Sequence, residues 1–212
     1  LLLLSFLASG ILLVFQFDTI EELGRGYHHP LLIVDAKALY VKGIVLGTAT
    51  LATLISLLNP RLKQAIRAGK EYWYLLAALT LSLSLLASTT HLIFIWMVIE
   101  TVSIVSYALV GFRKRDHRAA ASALQYFIYG SAAAGLMAFG IALFYGLTGT
   151  MCLQSGLGIG GIESLGTALA VQPTGPVLLA LGLILCGFLF KLAVFPFHFW
   201  APNAYQGASA SV

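Results

Sequence analysis

The sequence predicts an all-α polytopic membrane protein with about six transmembrane helices, the last of them broken near Pro196. Three observations support this prediction. Charged residues make up only 9% of the 212 residues while 59% are hydrophobic, apolar runs long enough to span a bilayer recur along the chain, and a proline closely follows a lysine in the last run. A soluble domain carries about 25% charged residues. We therefore expect one transmembrane helical domain over residues 1–212, and soluble classes are excluded.

Six segments approach the length of about 20 mostly apolar residues that a spanning helix needs. The predicted helices cover residues 1–16, 38–58, 72–90, 92–111, 119–148 and 176–195. The third and fourth meet in a tight hairpin, and the stretches 18–36 and 149–175 are expected to lie along the membrane surface. The first segment is short and no signal-peptide features precede it, so we expect the chain to belong to a longer protein.

The basic residues predict how the helices are oriented. Six helices in strict alternation place the loops 59–71 and 112–118 on the same side of the membrane. These two loops hold eight of the twelve lysines and arginines. Because basic loops stay on the cytoplasmic or matrix side, we expect both loops there.

Two formal charges lie well inside the predicted spans, and the first is Glu100. It follows His91 by nine residues and precedes Arg113 by thirteen, so it lies roughly 13 Å from one helix end and 20 Å from the other. A charge at such depth costs about 2.5–3.5 kcal/mol on insertion scales. Glu100 must be neutral, paired or beside water. It acts in a proton relay or ion site, or it locks helix packing through a hydrogen bond.

The second intramembrane charge is Lys191, in an apolar run that continues to Pro196. The proline lacks an N–H, so the helical bond to the Leu192 carbonyl is lost. Irregular backbone at membrane depth is tolerated where it is buried in protein or lines a wet cavity, and broken helices beside ionisable groups are typical of transporters. Lys191 therefore has a translocation role or anchors the helix by snorkelling. His198 is a relay partner at the break or caps freed backbone groups.

The remaining sequence narrows the chemistry. Gln125, Tyr126 and Tyr129 place polar tips in the fifth helix, where we expect helix packing or, alternatively, a hydrated path. The chain has no nucleophile motif, phosphate loop, haem pair or iron–sulfur cysteine set, and its short basic loops do not indicate nucleic-acid binding. We expect neither a metal nor a cofactor in this chain. Its chemistry is the movement of protons or ions.

Two stretches carry a resemblance to a known family. FKLAVFPFHFWAPNAYQGAS, from Phe190, resembles the broken-helix motif of the antiporter-like membrane-arm subunits of respiratory complex I. The pattern, roughly F-K-x4-P-F-H-x-W-x-P-D-x-Y-x-G-A-P, is that of NADH dehydrogenase subunit 2, called subunit N in bacteria. IETVSIVSYALVGFRKRDHRAAASALQYFIYG, from Ile99, is similar to the same subunit. The resemblance covers about residues 72–212.

The resemblance implies roles for named residues. Glu100 matches the family glutamate that modulates protonation of a lysine partner, and Lys191 matches the lysine that carries the proton at the broken helix. Gln125 stands where many relatives have a lysine, and Asn203 stands where the pattern has an aspartate. An amide cannot carry a proton as an ammonium does, so a relay through this helix would pass through water.

The resemblance also implies the assembly. The chain would be a subunit of H⁺-translocating NADH:ubiquinone reductase without a redox site of its own, because flavin, iron–sulfur clusters and quinone belong to other subunits. Since the family continues beyond Val212 into an eighth helix, we expect an N-terminal portion or half of a split subunit, with a second polypeptide carrying the remaining helices. Other membrane-arm subunits and lipids are the expected partners. A split gene favours the mitochondrial inner membrane, with the bacterial plasma membrane as the alternative.

Two other functions stay open. The chain could be a structural scaffold of the membrane arm that does not pump, because Gln125 replaces a lysine. It could also be a subunit of the related multisubunit cation/proton antiporters.

Overall fold

A computed structural model describes residues 2–23, 27–28, 31–58, 71–112, 116–153 and 165–208, with the side chains of 17–23, 27–28 and 165 left aside. The described chain is almost entirely helical. Its helices are α1 (Leu2–Leu23), α2 (Ala36–Leu58), α3 (Glu71–Leu86), α4 (Leu92–Val110), α5 (His117–Thr148), α6 (Leu165–Ala170), α7 (Thr174–Lys191) and α8 (Ala201–Gly207). Two short strands, β1 (Tyr27–His28) and β2 (Ile33–Val34), pair antiparallel.

The helix lengths confirm the all-α membrane fold. Helices α2, α4, α5 and α7 are each long and apolar enough to cross a membrane, and α3 and the first part of α1 are shorter apolar helices. These six correspond to the six predicted segments. The short helices α6 and α8 were not predicted. The basic loop residues 59–70 and 113–115, and residues 154–164 of the predicted surface loop, lie outside the described residues.

Two helix ends differ from the prediction near the β1–β2 pair. Helix α1 continues to Leu23 instead of ending at residue 16. Helix α3 ends at Leu86 instead of residue 90, because the turn after it forms hydrogen bonds with the strand region: the N–H of Ile33 donates to the carbonyl of Ser88 over 2.7 Å. These backbone bonds replace helical ones, so the hairpin between α3 and α4 is longer than the sequence indicated.

The broken helix ends at Lys191, four residues before the predicted end at 195. Ala193 adopts a left-handed backbone with φ of 50°. The N–H of Val194 donates to the carbonyl of Leu189, and the N–H of Ala193 donates to the carbonyl of Phe190, each over 3.0 Å. This is a Schellman arrangement, which satisfies carbonyls that a helix end leaves open. An alanine costs about 1–2 kcal/mol in this backbone region, so the surrounding structure holds the break in place.

Helix α5 is the centre of the bundle, and small residues let its neighbours approach closely. A Cβ added to Gly140 of α5 would lie 2.7 Å from the Ala180 carbonyl oxygen of α7, and one added to Gly187 of α7 would lie 2.7 Å from the Cβ of Met137. Membrane helices pack through such small residues because lipid provides little hydrophobic drive between them. The buried cluster at this contact joins α4, α5 and α7. This packing brings the glutamate of α4 near the end of α7.

Candidate functional site

Glu100 lies near the middle of the 19-residue helix α4. Its side chain is half-buried, and its Oε2 atom is buried without a hydrogen-bond partner. A buried carboxylate oxygen without a partner is costly, so this atom marks a place where a water or a proton can bind. The helix-packing alternative, in which Glu100 locks two helices by a hydrogen bond, receives no support from Oε2.

Lys191 points from the end of α7 to α4. Its Nζ donates to the Oγ of Ser103, a side chain that is 1% exposed. The Ser103 hydroxyl donates in turn to the carbonyl of Ile99 over 2.7 Å. The hydroxyl hydrogen of Ser103 is therefore already donated, and a lone pair on Oγ accepts the hydrogen bond from the Lys191 ammonium. Lys191 thus has a buried partner on another helix, which distinguishes it from a lysine that snorkels to the membrane surface.

Glu100 and Ser103 share one face of α4 because they are three residues apart. Tyr107, four residues beyond Ser103, continues this face. The Nζ of Lys191 lies 5.8 Å from the ring centroid of Tyr107 and 5.8 Å from that of Phe190. Aromatic faces at this distance attract a cation. Glu100 lies within electrostatic range of Lys191, although the lysine binds Ser103 directly. The face Glu100–Ser103–Tyr107 is called the α4 polar face below.

Tyr107 fits closely against α5. Its hydroxyl is buried without a hydrogen-bond partner, and a Cβ added to Gly130 would overlap it, lying 2.7 Å from the Tyr107 Cζ. Only glycine leaves room for the phenol at this position. The hydroxyl is therefore held at the edge of the α4 polar face, where it can donate to a water.

His198 lies in the turn after the break, which contains the cis peptide bond Phe195–Pro196. Its Nδ1 is buried without a hydrogen-bond partner. Its ring stacks on Phe199 at 4.8 Å and tilts against Phe195 at 5.8 Å. The described contacts of His198 include neither Lys191 nor Glu100, so the structure does not bring it together with the other two predicted residues.

The polar residues of α5 hold the segment that follows the break. The Nδ2 of Asn203 donates to the Oε1 of Gln125 over 2.8 Å. The Tyr126 ring stacks on Trp200 with centroids 4.1 Å apart and planes 3° apart. The Trp200 Nε1 donates to the carbonyl of Phe190 over 3.0 Å. These contacts agree with the packing role expected for Gln125 and Tyr126, whereas Tyr129 is 47% exposed.

Sequence reasoning missed Ser103 and Tyr107. Their spacing from Glu100, three and seven residues, is the helical period and was the available signal. Within the described residues, no group of three or more His, Cys, Asp or Glu side chains could hold a metal ion. Outside the spanning helices, burial lowers the pKa of His91, at the start of α4.

The fold and this site define a class of protein: a polytopic helical membrane protein in which a lysine at a helix break meets a second helix that carries a glutamate at mid-depth. The comparison with known families specifies the class further. The chain belongs to the NADH:quinone oxidoreductase/Mrp antiporter transmembrane family. The sequence model of this family matches residues 89–212, more than half of the chain.

Individual relatives agree with this membership. The chain is 36% identical over 203 residues to NADH-quinone oxidoreductase subunit N of Anaeromyxobacter sp., covering 95% of this chain and 38% of that protein. It is 37% identical over 183 residues to subunit N 2 of Chloroherpeton thalassium, covering 84% and 34%. The chain therefore spans little more than a third of the curated relatives' length, and the resemblance to subunit N is confirmed.

Solved structures show the same fold. A chain of respiratory complex I from Thermus thermophilus matches with a TM-score of 0.76 and 28% identity, over 99% of this chain and 42% of that one. A chain of the Mrp complex from Dietzia sp. matches with a TM-score of 0.75 and 19% identity, over 99% and 39%. At that identity the second match concerns the fold alone.

Proposed function

We propose that this chain forms part of a proton-translocating membrane-arm subunit of NADH:quinone oxidoreductase, with Glu100 and Lys191 as the proton-handling pair. The observation that supports this most directly is the bond from Lys191 at the helix break to Ser103, one turn along α4 from Glu100. An ionisable group inside a membrane is a functional candidate by default. Here two of them lie on separate helices, within electrostatic range of each other.

The proposed mechanism uses the charge of each side chain. A carboxylate near a lysine favours the ammonium form, and neutralising or moving that carboxylate favours release of the proton. Ser103 holds the Lys191 ammonium at the α4 polar face. A change in the charge of Glu100 therefore alters the electrostatic potential at Lys191 without a large movement of either side chain. The low dielectric of the bundle strengthens the interaction. His198 would receive or supply the proton from the far side of the break, through water.

The assembly is proposed from the relatives. Those above 30% identity bear names of NADH-quinone or NAD(P)H-quinone oxidoreductase subunits, which supports membrane-arm partners in such an oxidoreductase. That flavin, iron–sulfur clusters and quinone are held on other subunits stays a prediction. The same relatives are bacterial, which supports the bacterial plasma membrane over the mitochondrial inner membrane. The second polypeptide with the remaining helices stays a prediction.

The test is Lys191→Met in the assembled enzyme. We expect proton pumping into vesicles and quinone reduction to fall together by at least tenfold, while NADH oxidation by an artificial acceptor is retained. Glu100→Gln is expected to act in the same direction. Lys37→Met, an exposed lysine at the start of α2, is the control. Pumping of Lys191→Met at the wild-type rate would refute the proposal.

The second candidate is a subunit of a multisubunit cation/proton antiporter. It is favoured by the description of the family, which includes Mrp antiporters. Sodium-dependent proton exchange in vesicles, without NADH-oxidising partners, would support it. Dry packing of Glu100 and Lys191 far from each other would favour the non-pumping scaffold, and the bond from Lys191 to the α4 polar face argues against that arrangement.

A further inference from the structure

The α4 polar face contains one side chain, Tyr107, that the proposed proton-handling pair does not use. Tyr107 is 7% exposed, and its hydroxyl is buried without a hydrogen-bond partner among the described residues. Ser103 is its polar neighbour on the same face. A buried polar group that stays unpaired in a folded protein requires an explanation. The hydrogen of this phenol is available to a partner that the arrangement around the ammonium does not supply.

The rings around Tyr107 hold its phenol in place. Tyr126 of α5 meets the Tyr107 ring edge-on with centroids 4.5 Å apart, and Phe127 meets it edge-on at 5.8 Å. Such edge-to-face contacts favour one orientation of a ring. The close approach at Gly130 leaves no free space on the α5 side. The phenol therefore keeps its position, and a partner for its hydrogen has to come to it.

A lysine that releases a proton changes what it needs from its neighbours. The ammonium has three donors and no acceptor, whereas the neutral amine has a lone pair that accepts a hydrogen bond. Ser103 does not supply that hydrogen, because its hydroxyl already donates to the carbonyl of Ile99 over 2.7 Å. Phe190, whose ring also lies beside the Lys191 Nζ, has no polar hydrogen. Of the side chains in contact with Nζ, only Tyr107 has a hydrogen to donate.

We propose that the Tyr107 hydroxyl donates its hydrogen to the neutral amine of Lys191 after the ammonium has released its proton to water. The ammonium already lies 5.8 Å from the centroid of the Tyr107 ring. The four-carbon stem of a lysine is flexible, so rotations within the side chain bring Nζ from Ser103 to the hydroxyl. Tyr107 keeps its own proton and acts as a positioning residue. The inference rests on the proposed function, since it assigns the contact that Lys191 makes in its proton-free state.

The other titratable groups around Lys191 do not take this place. Besides Tyr107 they are Glu100 of α4, Tyr126 of α5, Tyr205 of α8 and His198 of the turn after the break. The described contacts of the ammonium include none of these four. Glu100 acts on Lys191 through its charge, and a carboxylate accepts hydrogen bonds without donating one. The Tyr126 ring is stacked on Trp200.

The test is Tyr107→Phe in the assembled enzyme, with proton pumping into vesicles measured as a function of pH. Phenylalanine keeps the ring that packs on α5 and removes only the hydroxyl. Because the neutral amine then loses a hydrogen bond, the profile should move to higher pH by about 0.5–1 unit. Tyr72→Phe is the matched control, since Tyr72 is also buried and its hydroxyl shares a hydrogen bond with Ser56 over 2.6 Å. Its pH profile should match wild type.

The outcomes separate this inference from the proposed function. A Tyr107→Phe profile that stays at the wild-type pH, or moves to lower pH, would overturn the inference. A purely structural role of Tyr107 would give the first of these results together with a lower unfolding temperature. In either case Lys191→Met would still lower pumping. Wild-type pumping by Lys191→Met would instead refute the proposed function, and the inference with it.

Discussion

Replacing Ser103 with alanine isolates the contact that joins Lys191 to α4. Ser103 is 1% exposed and is the hydrogen-bond acceptor of the Lys191 ammonium among the described residues. A hydrogen bond to a charged group is worth about 1.5–3 kcal/mol. Removing the acceptor therefore lowers the ratio of protonated to neutral Lys191 by a factor of roughly 13–160. The alanine should leave the backbone of α4 unchanged, because among the described residues the serine hydroxyl bonds only within its own helix and to Lys191.

The assay is the pH dependence of proton pumping by the assembled enzyme in vesicles. The Ser103→Ala profile should move to lower pH by roughly 1–2 units, since 1.36 kcal/mol corresponds to one unit. Ser106→Ala is the matched control: Ser106 lies on the same helix and donates to the carbonyl four residues before it over 2.7 Å, but does not bind Lys191. If the two variants give the same profile, the assignment of Ser103 as the lysine's acceptor is wrong.

Two further experiments test the packing around the site. Gly130→Ala should displace the Tyr107 phenol and lower the free energy of unfolding in detergent by about 1–3 kcal/mol. Gly135→Ala is the control, because a Cβ added there meets no atom within 4 Å, and it should be neutral or slightly stabilising. Equal unfolding temperatures of the two variants would contradict this. A double-mutant cycle of Gln125→Ala and Asn203→Ala should give a coupling of about 0.6 kcal/mol, with roughly 1.7 as an upper bound, and additive effects would mean that their hydrogen bond does not hold α8 on α5.

The two proton-handling residues could be found in the sequence because charges stand out in apolar runs. Ser103 could not be selected in the same way. Thr101, Ser103 and Ser106 all donate to the carbonyl four residues before them, so local sequence does not distinguish them. Which of the three hydroxyls accepts the hydrogen bond from Lys191 depends on how α5 positions α4 and α7. That bond joins residues 88 positions apart in the sequence.

Helix ends were predicted less well than helices, for physical reasons. The apolar run past Lys191 looked helical up to the proline, yet a left-handed Ala193 ends α7 earlier. Lys42 lies four residues inside the predicted helix 38–58 and was not counted among the charges well inside a span. The helix begins at Ala36, and its second turn brings Lys42 into a groove whose other walls come from α1 and α3. Such a groove exists only after tertiary packing.

The most direct test is Lys191→Arg in the assembled enzyme, measured as the rate of NADH-driven proton pumping into vesicles. Arginine keeps the positive charge and can donate to Ser103, but it cannot release a proton in a protein. If Lys191 carries a proton, Lys191→Arg should pump as poorly as Lys191→Met although the complex assembles. Pumping at the wild-type rate would mean that a fixed cation suffices, and that Lys191 supports the structure without carrying the proton.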